Sequence, residues 1–288
     1  YAIWLSLVGS EMCIRDSFIA FEQDVDLLNP IHKDRKDALK RFEELGFPSK
    51  KDESWKYTSL KSLVQKDYNL YAKSETNVEL KDVKKYLLND IDSFKIVFID
   101  GVYSPFLSKT THDGKDICVL SAALSKDKYK KRIKKYFNKV VPSAESLASL
   151  NTSYTKEGAY IYIPEGICPE DPVQIMHFST GSQNSIWLQP RNLIIADKGS
   201  KIEIIERHQS LKDHSVVTNS LTEIYAENNA FIDYYKIQND LKTSSLIDNT
   251  FISQERDSNV SVHTFSFGGK LTRNNLNFYH KGENIQST

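Results

Sequence analysis

Four segments recurring at one interval constrain the fold of this chain more than any other feature. PVQIMHFS from Pro172, KIEIIERH from Lys201, AFIDYYKI from Ala230 and NVSVHTFS from Asn259 begin 29 residues apart each time. Each of the last three follows a short polar turn: residues 197–200 (DKGS), 227–229 (ENN) and 256–258 (RDS). Before each turn lies another β-like run: NLIIA at 192–196, LTEIYA at 221–226 and TFISQE at 250–255. The unit is strand, tight turn, strand, longer return. Such a unit cannot bury its inner face alone, but stacked copies pair each strand with its equivalent and form one continuous core. Strands following strands without intervening helices exclude a doubly wound α/β fold. A Greek-key sandwich also has evenly spaced short strands, and the constant period favours the solenoid. The spacing predicts Val173, Ile202, Phe231 and Val260 as one interior ladder. A fully buried Phe231 would cost ~3–5 kcal/mol on truncation to Ala.

The β-helix core is therefore expected over residues 151–288. RNNLNFYH at 273–280 reads as the strand leading into a fifth coil, so the core is expected to be incomplete at its C-terminus, with an open strand edge. Residues 18–150 read as a helical and mixed N-terminal region. Residues 31–45 carry a helical stripe of Ala38, Leu39, Phe42 and Leu45, stopped by Gly46-Phe47-Pro48. A second amphipathic helix is expected over 78–89. A strand at 94–99, a turn at Asp100-Gly101 continuing into Val102-Tyr103, and a short strand at 116–120 follow. The chain opens on Tyr1. Its apolar start lacks a basic flank and a small-residue cleavage site, so it is not a secretory signal. Residues 5–17 (LSLVGSEMCIRDS) read as a sequencing-adaptor remnant, and residues 1–17 are expected to be a non-native leader that takes Cys13 with it.

Composition narrows the function classes. The 288 residues carry 38 basic and 38 acidic side chains, so the formal net charge is zero. That balance argues against a general nucleic-acid or membrane-surface binder, and no apolar run reaches the ~18–20 residues of a membrane-spanning helix. Residues 126–139 hold eight basic residues. Tyr129, Ile133, Tyr136 and Val140 form an apolar helical stripe on the other side, so this segment reads as a solvated helix face rather than a phosphate patch. Cys13, Cys118 and Cys168 form no C-x-x-C pair, which excludes a zinc ribbon or a thioredoxin-type motif. Widely spaced cysteines fit a reducing, cytoplasmic compartment.

Among the histidines, His177 and His208 stand near Glu206, and 177 and 206 differ by one 29-residue period. A carboxylate beside two imidazoles can bind iron. A metal centre wants three or four convergent ligands, so a polar ladder on the outer face, or a buried histidine with one hydrogen bond, competes with that reading. Cys168, in the loop PEGICPEDP, is a further thiolate candidate, and Cys118 in its apolar strand reads as a small buried hydrophobe. No nucleophile elbow, P-loop or dinucleotide fingerprint is present. The chain is thus expected not to be an enzyme, with a β-helix carbohydrate-active enzyme or a plain interaction solenoid as alternatives.

Several stretches resemble one family in consistent order over residues 30–288. Glu53, Trp55, Lys56, Tyr57 and Thr58 match an E-x-W-K-Y-T signature. Leu150-Asn151, Glu157-Gly158 and residues 161–164 (IYIP) match its entry into the core. Arg191-Asn192-Leu193-Ile194-Ile195 and Ile205-Glu206-Arg207-His208 match its middle, and Gly268-Gly269-Lys270-Leu271 with Arg273-Asn274-Asn275-Leu276 matches a later coil. The set resembles the SufB/SufD family of SUF iron–sulfur cluster assembly proteins, and the W-K-Y-T element resembles its SufD branch. The resemblance implies a right-handed parallel β-helix with a helical N-terminal region. It implies a scaffold subunit acting in a complex with a SufB-like paralogue and a SufC-like ATPase. The family's docking helices and its interface histidine have no counterpart among these residues. It further implies no cofactor bound by this stretch alone, a nascent iron–sulfur cluster arising only in the full complex.

Overall fold

The computed structural model describes residues 14–66, 68–70, 78–88, 90–181 and 185–288. The expected leader lies outside the described residues as far as Cys13. Residues 14–22 are helical, and Ile14 packs with Phe18, Phe21 and Tyr154.

The N-terminal region contributes helices α1 (His32–Leu45), α2 (Lys61–Val64), α3 (Leu80–Val83), α4 (Leu120–Leu124), α5 (Asp127–Tyr136) and α6 (Ser146–Ser153). Strands β1 (Phe94–Ile99), β2 (Val102–Tyr103) and β3 (Asp116–Val119) lie among them. The stripe of α1 buries Ala38, Leu39 and Phe42, while Leu45 stays half exposed. In α5, Tyr129, Ile133 and Tyr136 are buried, so the lysines take the solvated side. The helix expected over 78–89 is shorter. It is α3 followed by a 3-10 turn at Lys84–Tyr86, and residue 89 lies outside the described residues. The Gln174 side chain holds the Leu88 backbone by two hydrogen bonds of 3.1 Å, drawing the chain out of the helix and against the coil.

From Ala159 onward the chain winds as a β-solenoid of about four turns. The strands are β4 (Ala159–Ile163), β5 (Val173–Ser179), β6 (Ile186–Leu188), β7 (Arg191–Ala196), β8 (Lys201–Ser210), β9 (Val216–Ala226), β10 (Phe231–Asn239), β11 (Ser245–Gln254), β12 (Asn259–Ser266), β13 (Leu271–His280) and β14 (Gln286–Ser287). One sheet runs β14-β12-β10-β8-β5-β1-β2 and the other β13-β11-β9-β7-β4-β3, with β6 beside β9. All pairings among these strands are parallel except β1 with β2 and β3 with β4.

The tight turns explain why the coils stack. Gly166, Gly199, Asn229, Asp257 and Asn284 all have φ between 55° and 71°. Gly, Asn and Asp are the residues that enter this left-handed region at least cost. The amides of Gly166, Gly199, Asn229 and Asp257 each donate to a carbonyl of the next turn, at Lys198, Asn228, Arg256 and Glu283. On the return side, Gly268 and Gly269 have φ of 138° and 86°. A Cβ at Gly268 would stand 2.5 Å from the Asp240 carbonyl oxygen.

The repeat is not a constant 29 residues. Val173 pairs with Ile204, Ile202 with Ile232, and Ile232 with Val260, which are intervals of 31, 30 and 28. The expected ladder is therefore corrected at two rungs: Val173 stacks on Ile204 and not on Ile202, and Phe231 is replaced by its neighbour. Phe231 pairs with Lys201 and Asn259 and is 47% exposed, while Ile232 takes the interior place. A one-residue difference in register reverses the face of every side chain in a strand.

The inner layer divides along the strands. Next to the tight turns it is apolar: Val173, Ile175, Ile202, Ile204, Ile232 and Val260 meet Ile161, Ile194, Ile224 and Ile252. Further along the same strands it turns polar. The outer face of the β7-β9-β11-β13 sheet is covered by the N-terminal region. Leu193, Ile195 and Tyr225 pack with Ile133 and Phe137, and Val217 and Ile247 pack with Phe42, Trp55 and Leu150.

Candidate functional site

The inward positions of β5, β8 and β10 continue the Ile175, Ile204 and Tyr234 rows into His177, Glu206, His208 and Lys236. Strand alternation alone places these charges inside the coil, so the cluster lies in the interior and not on an outer ladder. His177 pairs in register with His208 rather than with Glu206. Their rings stack at 4.6 Å and 8°, and Phe98 stacks on the other face of His177 at 5.1 Å.

Glu206 is fully buried and sits at the centre. Its Oε1 lies 3.1 Å from His177 Nε2 and 3.5 Å from His208 Nε2. Asn192 Nδ2 donates to the same oxygen at 2.9 Å. Tyr234 donates its hydroxyl to Oε2, and Lys236 Nζ is 3.9 Å from that oxygen. Lys236 in turn pairs with Asp248 Oδ2 at 2.5 Å and donates to Thr250 Oγ1 at 2.7 Å.

Burial alone would raise the Glu206 pKa, but the two imidazoles and Lys236 hold it well below the usual carboxylate range. Desolvation, and then the neighbouring His208, push His177 down. Burial also opposes charge on His208, yet the Glu206 carboxylate outweighs it and raises its pKa. Burial and the Glu206 charge lift the Tyr234 phenol well above its ordinary value. The interior thus carries an ionised carboxylate and a lysine-aspartate pair in a site closed to bulk water. Charges so buried persist only when paired and hydrogen-bonded.

The ligand atoms of His177, Glu206 and His208 all lie within 4.8 Å of one another, the one such buried group found among the described residues. Cys168 does not join them, since it is exposed in the loop before β5. Cys118 is buried and its thiol is pushed up to about 12 by desolvation, which keeps it protonated. Sequence reading missed Tyr234, Lys236, Asp248 and Asn192. The signal was available: once Ile232 is inward, Tyr234 and Lys236 share its face by alternation.

The signature residues meet in a second place. Trp55 is buried against Leu271 and its neighbours. The Arg273 guanidinium lies 4.2 Å over its ring. Arg273 Nη2 donates to the Ser54 carbonyl at 2.7 Å, and Nη1 lies 3.4 Å from Thr58 Oγ1. Glu53, Lys56 and Tyr57 remain exposed. Arg191 forms a fully buried pair with Glu223 at 2.6 Å. Glu223 also accepts the backbone amides of Asn138 and Lys139, so this pair holds the loop after α5 to the coil. Gly269 belongs to the return turn described above, and a Cβ there would meet Gln238 and Thr272 at 3.0 Å. Five of the nine signature residues, Trp55, Thr58, Arg191, Gly269 and Arg273, are therefore engaged in joining the N-terminal region to the coils or in shaping them.

The family model described as the SufBD protein N-terminal region matches residues 20–175, and that of the SUF system FeS cluster assembly SufBD core domain matches residues 177–288. The chain is 24% identical over 257 residues to an iron–sulfur cluster assembly SufBD family protein of Synechocystis sp., covering 86% of this chain and 56% of that one. It is 26% identical over 263 residues to the chloroplastic protein ABCI7 of Arabidopsis thaliana, covering 88% and 54%. With the iron–sulfur cluster assembly protein SufD of Escherichia coli it shares 25% over 252 residues, covering 85% and 55%. The chain spans about half the length of these curated relatives.

Proposed function

Because the chain belongs to the SufBD family of the SUF iron–sulfur cluster assembly system, we propose that it acts there as a scaffold subunit and not as an enzyme. The observation that carries this reading is the consecutive match of both family models, with the Trp55 and Arg273 elements meeting across the fold. The comparisons give no support to a carbohydrate-active β-helix or to a plain interaction solenoid. The partners are a SufB-like paralogue and a SufC-like ATPase, and the nascent cluster is cargo of the complex rather than a group held by this chain alone. The compartment is the cytoplasm. Among the described residues no helix is long and apolar enough to cross a membrane.

The test is co-expression of the complete polypeptide with SufB-like and SufC-like proteins from the same source. A stable ternary complex should co-purify, and iron–sulfur absorption after reconstitution should fall when this subunit is omitted. Recovery of the chain without partners, or lyase or hydrolase turnover by the purified chain, overturns the proposal.

A further inference from the structure

We propose that His177, Glu206 and His208 bind one divalent transition-metal ion inside the coil, with a water in the adjoining cavity as a further ligand. Zn and Co ions hold imidazole nitrogen and carboxylate oxygen at about 2.0–2.2 Å, which places neighbouring donors of a four-coordinate site about 3.4 Å apart. The two imidazole-to-carboxylate separations, 3.1 and 3.5 Å, match that spacing, and the two stacked rings, 8° from parallel, turn about their Cβ–Cγ bonds to aim both Nε2 lone pairs at the ion. All three ligands project from the paired strands β5 and β8, whose register fixes them.

The surroundings are built for the same purpose. Ligating carboxylates and imidazoles are held by outer hydrogen bonds that fix their orientation. Here Asn192 donates to the shared oxygen and Tyr234 to the other one. Asp248 pairs with Lys236, so the nearest cation is neutralised and the charge of Glu206 remains for the ion.

A second observation points to the same place. Three buried atoms have no hydrogen-bond partner: His208 Nε2, Gln238 Oε1 and Asp248 Oδ1. His208, Gln238 and Asp248 line one cavity of about 10 Å³, together with Lys236 and Thr264. That volume is about what one water requires, and a water needs two to four polar partners. The ion answers the His208 nitrogen, and a coordinated water there donates to Gln238 Oε1 and Asp248 Oδ1 and completes the coordination. Borderline nitrogen and oxygen donors select Zn, Co or Fe(II) over Mg or Ca.

The test uses the full chain and Co(II) as the probe, with retained metal counted after gel filtration. One Co(II) per chain is expected, with visible ligand-field bands and no thiolate charge-transfer band. His177→Gln and His208→Gln should each weaken binding at least tenfold, and Cys168→Ser should leave it unchanged. Zn(II) should raise the melting temperature of the parent chain and not of His177→Gln. If neither histidine variant folds, the parent chain decides alone: absence of retained Co(II), or a thiolate band, overturns the proposal. Unchanged binding in a folded His208→Gln variant does so as well.

Discussion

Arg273 shows how one residue acts across the whole length of the chain. Its guanidinium caps Trp55 and satisfies the Ser54 carbonyl, 219 positions away. Arg273→Ala should cost ~1–2 kcal/mol through the lost cation–π contact and hydrogen bond. Arg273→Lys should recover little of it, because an ammonium cannot stack as a plane and donate in two directions. Urea unfolding measures both, and equal stability of the parent and Ala forms would deny the contact its role. Phe231 is the opposite case. Periodicity marks it as core, yet it is 47% exposed. Phe231→Ala should shift stability within about 0.5 kcal/mol, as surface changes do. A loss of ~3–5 kcal/mol would restore it to the interior.

Among the elements, the tight turns carry the stacking. Asn229 sits at φ 57° between Gly199 and Asp257, which hold the same conformation. Asn229→Gly should be nearly neutral, while Asn229→Val should cost ~1–2 kcal/mol by forcing a β-branched residue into the left-handed region. Equal midpoints for the two variants in chemical denaturation would show that the turn conformation is not what matters. These turns were also the most legible part of the sequence, because DKGS, ENN and RDS carry the residues that such turns require. The strands between them were equally plain. Their exact register was not, because intervals of 31, 30 and 28 look alike when each segment alternates apolar residues on both faces. Ile202 and Ile204 are both interior, and Phe231 and Ile232 are adjacent and both apolar, so apolar character alone could not set the phase. The candidate site was half legible for the same reason. His177, Glu206 and His208 announced themselves by residue type. Their interior position, and the parts played by Lys236 and Asp248, depended on the phase.

For the whole molecule, the junction between the N-terminal region and the coil is one pH-sensitive part. The Glu157 carboxyl lies where α4 meets β4, and its Oε2 has no partner. Desolvation pushes its pKa up to about 7, against an ordinary value of 4.5. The folded state therefore holds this proton more tightly than the unfolded chain. The associated stability is complete below pH 4.5 and is lost as pH rises through 7. Glu157→Gln should raise the melting temperature at pH 8, by an amount equivalent to roughly 2–3 kcal/mol, and leave it unchanged at pH 4.5. An equal gain at both pH values would assign the effect to packing. The tie between Trp55 and Arg273 has a consequence in time as well. The surface that receives the N-terminal region comes from residues as late as Leu271 and Arg273. On a ribosome adding about 5–20 residues per second, Trp55 emerges roughly 10–45 s before the arginine that covers it. The segment made first is thus among the last to find its place, and until then it is exposed to chaperones, proteases and its own neighbours.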